Sequence, residues 1–223
     1  MPASHDSLLR RLRLLVLIAV CMPMAAYSGA FEDFFNAARN DNVDEINSLL
    51  HRGLDPNLVE EERGETGLII AVREGSVRVF NALLNARNID LEVKARNGDN
   101  ALMVAAYKGN RSAVELLLAK GAEVNRPNWT ALHYAAAAGK NDIVQMLLDR
   151  GADVNASSPN KTTPLMMAAG EGHIMTVKLL LDRGAELAVK NELGLNALDF
   201  ASRNGHKDIV DGLTYRLKRA GKL

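Results

Sequence analysis

Residues 130–155, TALHYAAAAGKNDIVQMLLDRGADVN, hold the reading that decides the fold. Thr130 stands where a hydroxyl can accept a backbone N–H bond at a helix start, and the alanine-rich residues 131–138 supply strong helix formers with little bulk. A neighbouring helix can therefore approach closely. Gly139 is the residue type expected where the chain turns through positive φ at a helix end, and Asn141 or Asp142 can cap a second helix. That helix carries Ile143, Val144, Leu147 and Leu148 on one apolar face and ends at Gly151. Each helix is far shorter than the ~12–15 residues at which isolated helices become marginal, so the unit needs copies of itself as neighbours.

The copies are present. A Leu-Leu pair followed by Gly recurs as Leu49-Leu50 before Gly53, Leu117-Leu118 before Gly121, Leu147-Leu148 before Gly151 and Leu180-Leu181 before Gly184. The turn glycine recurs as Gly75, Gly109, Gly139, Gly172 and Gly205, at intervals of 34, 30, 33 and 33 residues, which is a solenoid period. Thr130-Ala131-Leu132-His133 through Asp153-Val154-Asn155, with Thr163-Pro164-Leu165, Gly172-His173 and Gly184-Ala185 in the next copy, resembles the ankyrin repeat. The resemblance runs from about Phe31 to the C-terminus. It implies an all-α ankyrin-repeat solenoid of stacked helix-turn-helix units with short β-hairpin connections. The units fall at about residues 31–57, 58–91, 92–125, 126–155, 156–189 and 190–223, after a leader over 1–30.

A chain of 223 residues, 48% hydrophobic and only 4% aromatic, suits stacked small-residue helices. Lys plus Arg and Asp plus Glu are equal at 27 each, so no basic field points to nucleic acid and no acidic excess to a solvating tail. Cys21 is the single cysteine and lies outside the repeats, leaving no internal disulfide and no cysteine-based metal site to build.

Arg10, Arg11 and Arg13 precede an apolar run over residues 14–22, then Pro23 and the small-residue stretch 25–30. That order reads as a secretory signal peptide, with cleavage after Ala30 or after Ser28. The run is short of the ~20 residues a spanning helix needs, so no stable membrane anchor is expected after cleavage. Cys21 raises a lipoprotein alternative, against which Val20 stands where that pattern wants a small residue. A mature chain without cysteine suits a bacterial periplasm, and the exported bacterial type is the expectation.

Within the array, Asp41 stands where later copies have Gly, and Phe31, Phe34 and Phe35 are expected to pack on the second repeat. Asn88 replaces a turn glycine and can adopt the same left-handed conformation. The run Glu60-Glu61-Glu62 reads as a solvated loop. The link over 125–130 is about three residues short, which blunts the hairpin there and sets Trp129, the only tryptophan, directly before a helix cap. Its register partners are Glu65, Asp99, Thr162 and Leu195. The basic end, Arg216, Lys218, Arg219 and Lys222, reads as a solubilising helix cap, with an anionic partner or membrane surface as the alternative.

No phosphate loop, nucleophile elbow or zinc helix motif is present, and His51, His133, His173 and His206 never pair at i, i+4. The resemblance implies a structural inter-repeat hydrogen bond for His133. The expectation is a non-enzymatic chain with no cofactor and no metal.

The first helices align copy by copy into two rows, Asn36, Ile70, Val104, Tyr134, Met167, Phe200 and Arg39, Arg73, Tyr107, Ala137, Gly170, Arg203. The first row reads equally well as packing between helices. The functional reading takes Tyr107, Tyr134 and Trp129 as an aromatic patch, with Arg73, Met167, Phe200 and Arg203 completing a partner-binding surface on the concave side. The expected function is a monomeric periplasmic scaffold that binds another protein through its concave face and hairpin tips. An inhibitor or immunity protein for a toxin or hydrolase, and an enzyme accessory or protective factor, are the alternatives.

Overall fold

The computed structural model describes residues 24–219 and Gly221. The arginines and apolar run of the expected leader, with Cys21, and the C-terminal Lys222 lie outside the described residues. Among the described residues twelve helices follow in pairs: α1 (Met24–Arg39) with α2 (Val43–His51), α3 (Gly67–Glu74) with α4 (Val77–Leu84), α5 (Ala101–Lys108) with α6 (Arg111–Ala119), α7 (Ala131–Ala137) with α8 (Asn141–Asp149), α9 (Pro164–Gly170) with α10 (Ile174–Asp182), and α11 (Ala197–Arg203) with α12 (Lys207–Arg219). The first helices of the pairs contact one another in sequence order to form one layer, and the second helices lie behind them. The architecture is an all-α repeat solenoid.

Packing explains why such short helices hold. Ala105, Ala106, Ala135, Ala136, Ala168 and Ala169 are fully buried where neighbouring first helices meet, because a methyl group is all that fits between them. Behind them Leu49, Leu83, Leu117, Leu147, Leu180 and Leu213, one per pair, are no more than 1% exposed. Each such leucine contributes roughly 1.5–3 kcal/mol by leaving water. The result is one continuous core from Ala30 to Leu213.

The first helices start on side-chain caps. Thr66, Asn100, Thr163 and Asn196 accept the backbone N–H groups of Ile69, Met103, Met166 and Asp199. Thr130 is the N-cap of α7 in a capping box with His133, its N–H and hydroxyl both facing Nδ1 of that ring, at 3.2 and 3.0 Å. Neither Asn141 nor Asp142 caps α8, which starts after Lys140 without a side-chain cap. Asn141 Oδ1 instead accepts the Thr176 hydroxyl of the next pair, at 2.7 Å.

At the N-terminal end, Asp41 takes the left-handed conformation of the glycine it replaces (φ 54). Its carboxylate then accepts the N–H of Val79 at 2.9 Å, capping α4, whose own Ser76 makes no cap bond. Phe34 and Phe35 are buried as expected, and a Cβ on Gly67 would lie 2.7 Å from the Phe34 ring, so that glycine makes room for it. Helix α1 spans both expected cleavage points. Removal after Ala30 leaves residues 31–39, as long as α2, and retains Phe34, Phe35, Ala37 and Ala38.

The connections are tighter than β-hairpins. Among the described residues the only bridge is Val59 with Thr66, and three other tips are closed by a pair of backbone bonds each, in which Ala95, Ser158 and Asn191 donate to Asp99, Thr162 and Leu195 and accept from Gly98, Lys161 and Gly194. No such bond closes the short link over 125–130, where Asn128 sits at φ 75. The shortening draws Arg126 inward: its side chain is 7% exposed, with a guanidinium nitrogen 3.4 Å from the Glu92 carboxylate.

Glu60 corrects the reading of the acidic run as a solvated loop. It is buried, and its carboxylate accepts the backbone N–H groups of Glu62, Arg63 and Glu65. Burial pushes its carboxyl pKa up, but these three bonds and the Arg39 charge outweigh that and hold it below the ordinary value.

Candidate functional site: the concave groove of the second to fourth helix pairs

A cavity of about 600 Å³ opens on the concave side between the tips preceding α3 and α5 and the exposed faces of α3, α5 and α7. Its apolar wall is Val104, Tyr107 and Tyr134, and its polar wall includes Glu65, Arg73 and Asp99. The two tyrosine rings meet edge to face, 6.4 Å between centroids. They arise at different positions of adjacent first helices, so only stacking of α5 on α7 brings them together. Tyr107 is 55% exposed.

Tyr134 is fixed by its hydroxyl, which donates a hydrogen bond to the Asp99 carboxylate. Burial raises the phenol pKa above its ordinary value, and the Asp99 bond and charge raise it further. Tyr134 therefore stays a neutral donor across the physiological range. Asp99 also accepts from the Asn97 side-chain amide at 2.7 Å.

Glu65 is 8% exposed and lies 2.8 Å from Arg73 Nη2. The approach is not aligned for a hydrogen bond, which leaves Glu65 Oε2 and Arg73 Nε buried without partners. Burial raises the Glu65 pKa, and the opposing charges of Arg73 and Arg63 do not cancel it.

Of the residues picked from sequence, the cavity unites Arg73, Tyr107 and Tyr134. Trp129 stands apart from the tyrosine pair: its ring lies 5.2 Å from the His133 ring, in an edge-to-face contact within its own unit. Phe200 is half-buried against Gly170, where an added Cβ would come within 3.1 Å of the ring. Met167 is half-buried and Arg203 exposed, and neither lines the cavity. The single aromatic patch expected from sequence is thus a tyrosine pair and a separate tryptophan. Sequence reasoning did not select Glu65 or Asp99, although both occupy the register position that drew attention to Trp129.

The histidines serve the framework. His133 Nε2 reaches the Thr162 carbonyl at 3.0 Å, His173 Nε2 the Ala137 carbonyl at 3.0 Å, and His206 Nε2 the Gly170 carbonyl at 2.9 Å. Each bond ties one helix pair to the next. Gly139 and Gly172 sit under the His173 and His206 rings, where a Cβ would lie 2.6 Å from ring atoms, so these glycines supply room as well as positive φ. Among the described residues no cluster of His, Cys, Asp and Glu is arranged to hold a metal, and no helix is long and apolar enough to cross a membrane.

The family model for ankyrin repeats, in three copies, matches residues 34–128, 89–158 and 132–218. The chain belongs to the ankyrin-repeat family. Ankyrin repeats are in general protein–protein interaction modules, and the family is typically non-enzymatic. Similar proteins include the human SH3 and multiple ankyrin repeat domains protein 2, 42% identical over 36% of this chain and 4% of that protein. The human transient receptor potential cation channel subfamily A member 1 is 33% identical over 41% of this chain and 8% of its own length. A putative ankyrin repeat protein of Rickettsia felis is 35% identical over 41% of this chain and 30% of its own length. The chain thus spans less than a third of each of these relatives.

Proposed function

We propose that this ankyrin-repeat chain is a non-enzymatic scaffold of a bacterial periplasm that binds another protein along its concave face. The observation that carries the reading is the cavity of about 600 Å³ walled by Tyr107 and Tyr134, with Tyr107 more than half exposed in a chain only 4% aromatic. Aromatic side chains bury large area at low rotamer cost and are enriched among interface hot spots. The stacked helices already hold the groove in place, so association orders little backbone. Export rests on the arginine, apolar and small-residue order of residues 10–30.

Two measurements test this. Cell fractionation with mass spectrometry of the mature chain should find it in the periplasm, beginning at Phe31 or Gly29. Capture from periplasmic extract should lose the same specific protein with Tyr107→Ala and Tyr134→Ala, and Trp129→Ala asks whether the surface extends past the cavity. Capture unchanged by both tyrosine variants, with melting intact, removes the groove as the binding site.

A further inference from the structure

The cavity's charges are unequally satisfied. Glu65 is committed to Arg73, and Asp99 to the Tyr134 hydroxyl and the Asn97 amide. Arg63, Arg96 and Lys108 also line the cavity, all three are exposed, and among the described residues none has a carboxylate within ion-pair distance. Against them stands only one uncommitted carboxylate on the lining, Glu62, which is itself exposed. The chain as a whole has equal numbers of acidic and basic residues, so this excess is local.

The fold brings the backbones of Arg63 and Arg96 together at the cavity rim. Arg96 donates its backbone N–H to the Arg63 carbonyl at 2.8 Å, tying the tips of adjacent units, and a Cβ on Gly64 would lie 2.9 Å from Arg96 Cγ. With Glu65 paired to Arg73, the three exposed cations outnumber the free carboxylate on the lining, so an arriving anion finds charge complementarity there. Beside them, Val104 and Tyr107 offer apolar surface.

We propose that the groove takes an extended acidic segment of the partner protein, seating a carboxylate among Arg63, Arg96 and Lys108 and an adjacent apolar side chain against Tyr107 and Val104. This rests on the reading that the concave face binds protein, and adds the chemistry of what it binds. Successive side chains of an extended segment point to opposite sides, so acidic and apolar residues two apart face the groove together and flanking acidic residues meet the tips. Attraction of this kind is screened by salt, because the three cations are exposed.

The test uses the full chain and three labelled twelve-residue peptides of mixed leucine and phenylalanine with, in turn, glutamate, glutamine or lysine at the polar positions, followed by fluorescence anisotropy. The glutamate peptide should bind about tenfold tighter than the glutamine peptide in low salt, and the lysine peptide should not bind. Raising salt to 0.5 M should remove most of the difference, and Arg96→Glu and Lys108→Glu should each weaken the glutamate peptide about tenfold. The salt series needs no variant, so it stands even if a charge reversal disturbs folding. Equal binding of the glutamate and glutamine peptides, both lost in Tyr107→Ala, would overturn the acidic specificity and leave the concave binding reading intact. Binding of any peptide that ignores both Tyr107→Ala and the charge reversals would overturn the site itself. Full displacement of the glutamate peptide by millimolar inorganic phosphate would show a simple anion site and overturn the peptide assignment.

Discussion

Acid should unlock one identifiable joint of the stack. His133 is 1% exposed, with Nδ1 facing the N–H and hydroxyl of Thr130 and Nε2 donating to the Thr162 carbonyl of the following unit. This fixes a neutral ring with a bare Nδ1. Burial pushes its pKa down from 6.5 to about 4, outweighing the backbone groups of Thr162 and Ala156 and the charge of Asp153, all of which favour the proton. Between those two pH values the unfolded chain binds a proton that the folded chain refuses, so stability falls as pH falls. The contribution is complete above about pH 6.5, declines through the window and levels off below about pH 4. At ~1.4 kcal/mol per pH unit the loss across the window is about 3 kcal/mol. Urea unfolding at intervals from pH 7.5 to 4, followed by fluorescence of Trp129, measures it in the wild type and in His133→Gln. Carboxylates titrate in both proteins, so the difference between the two pH profiles isolates the imidazole. The wild type should lose about 3 kcal/mol more than the variant over this range. Parallel profiles would refute a buried neutral His133.

Other joints yield equally specific outcomes. Glu60→Ala removes an acceptor from three backbone N–H groups and should cost about 1–3 kcal/mol by urea unfolding. Gly139→Ala and Gly205→Ala both place a methyl at positive φ, but only the first meets a ring, at 2.6 Å from His173. Gly139→Ala should therefore be the more destabilising by about 1–3 kcal/mol in the same assay. Glu92→Leu strands the buried Arg126 guanidinium, removes the acceptor of the Asn100 amide and the Glu123 N–H, and should cost about 3 kcal/mol, of which Glu92→Leu/Arg126→Met recovers only the part due to Arg126.

Whatever repeats was legible in the sequence. The leucine pairs and the turn glycines recur at fixed register, so each copy supports the reading of the others, and Asn88 adopts the positive φ (62) expected of a glycine substitute. What occurs once was harder to see, because its partner lies in a neighbouring unit. Asp41 caps α4, a pairing with no counterpart elsewhere among the described residues, and the packing of Phe34 on the second repeat was legible while its seat over Gly67 was not. Glu60 looked solvated among three glutamates because only the folded turn aims three N–H groups at it. At the candidate cavity, three residues of the aligned rows, Arg73, Tyr107 and Tyr134, share the lining. They could not show that Tyr134 turns to Asp99 while Trp129 turns to His133, since position along a helix does not fix where a ring points.

The central claim, that partners dock in the concave groove, is tested most directly by calorimetry with the purified partner on two single variants. Tyr107→Ala removes an exposed ring inside the groove, and Leu116→Ala removes an exposed side chain of comparable hydrophobicity from the outer helix α6. The groove account predicts at least about tenfold weaker binding for Tyr107→Ala, within the range of interface hot spots, and unchanged binding for Leu116→Ala. Unchanged binding for Tyr107→Ala together with a loss for Leu116→Ala would contradict it.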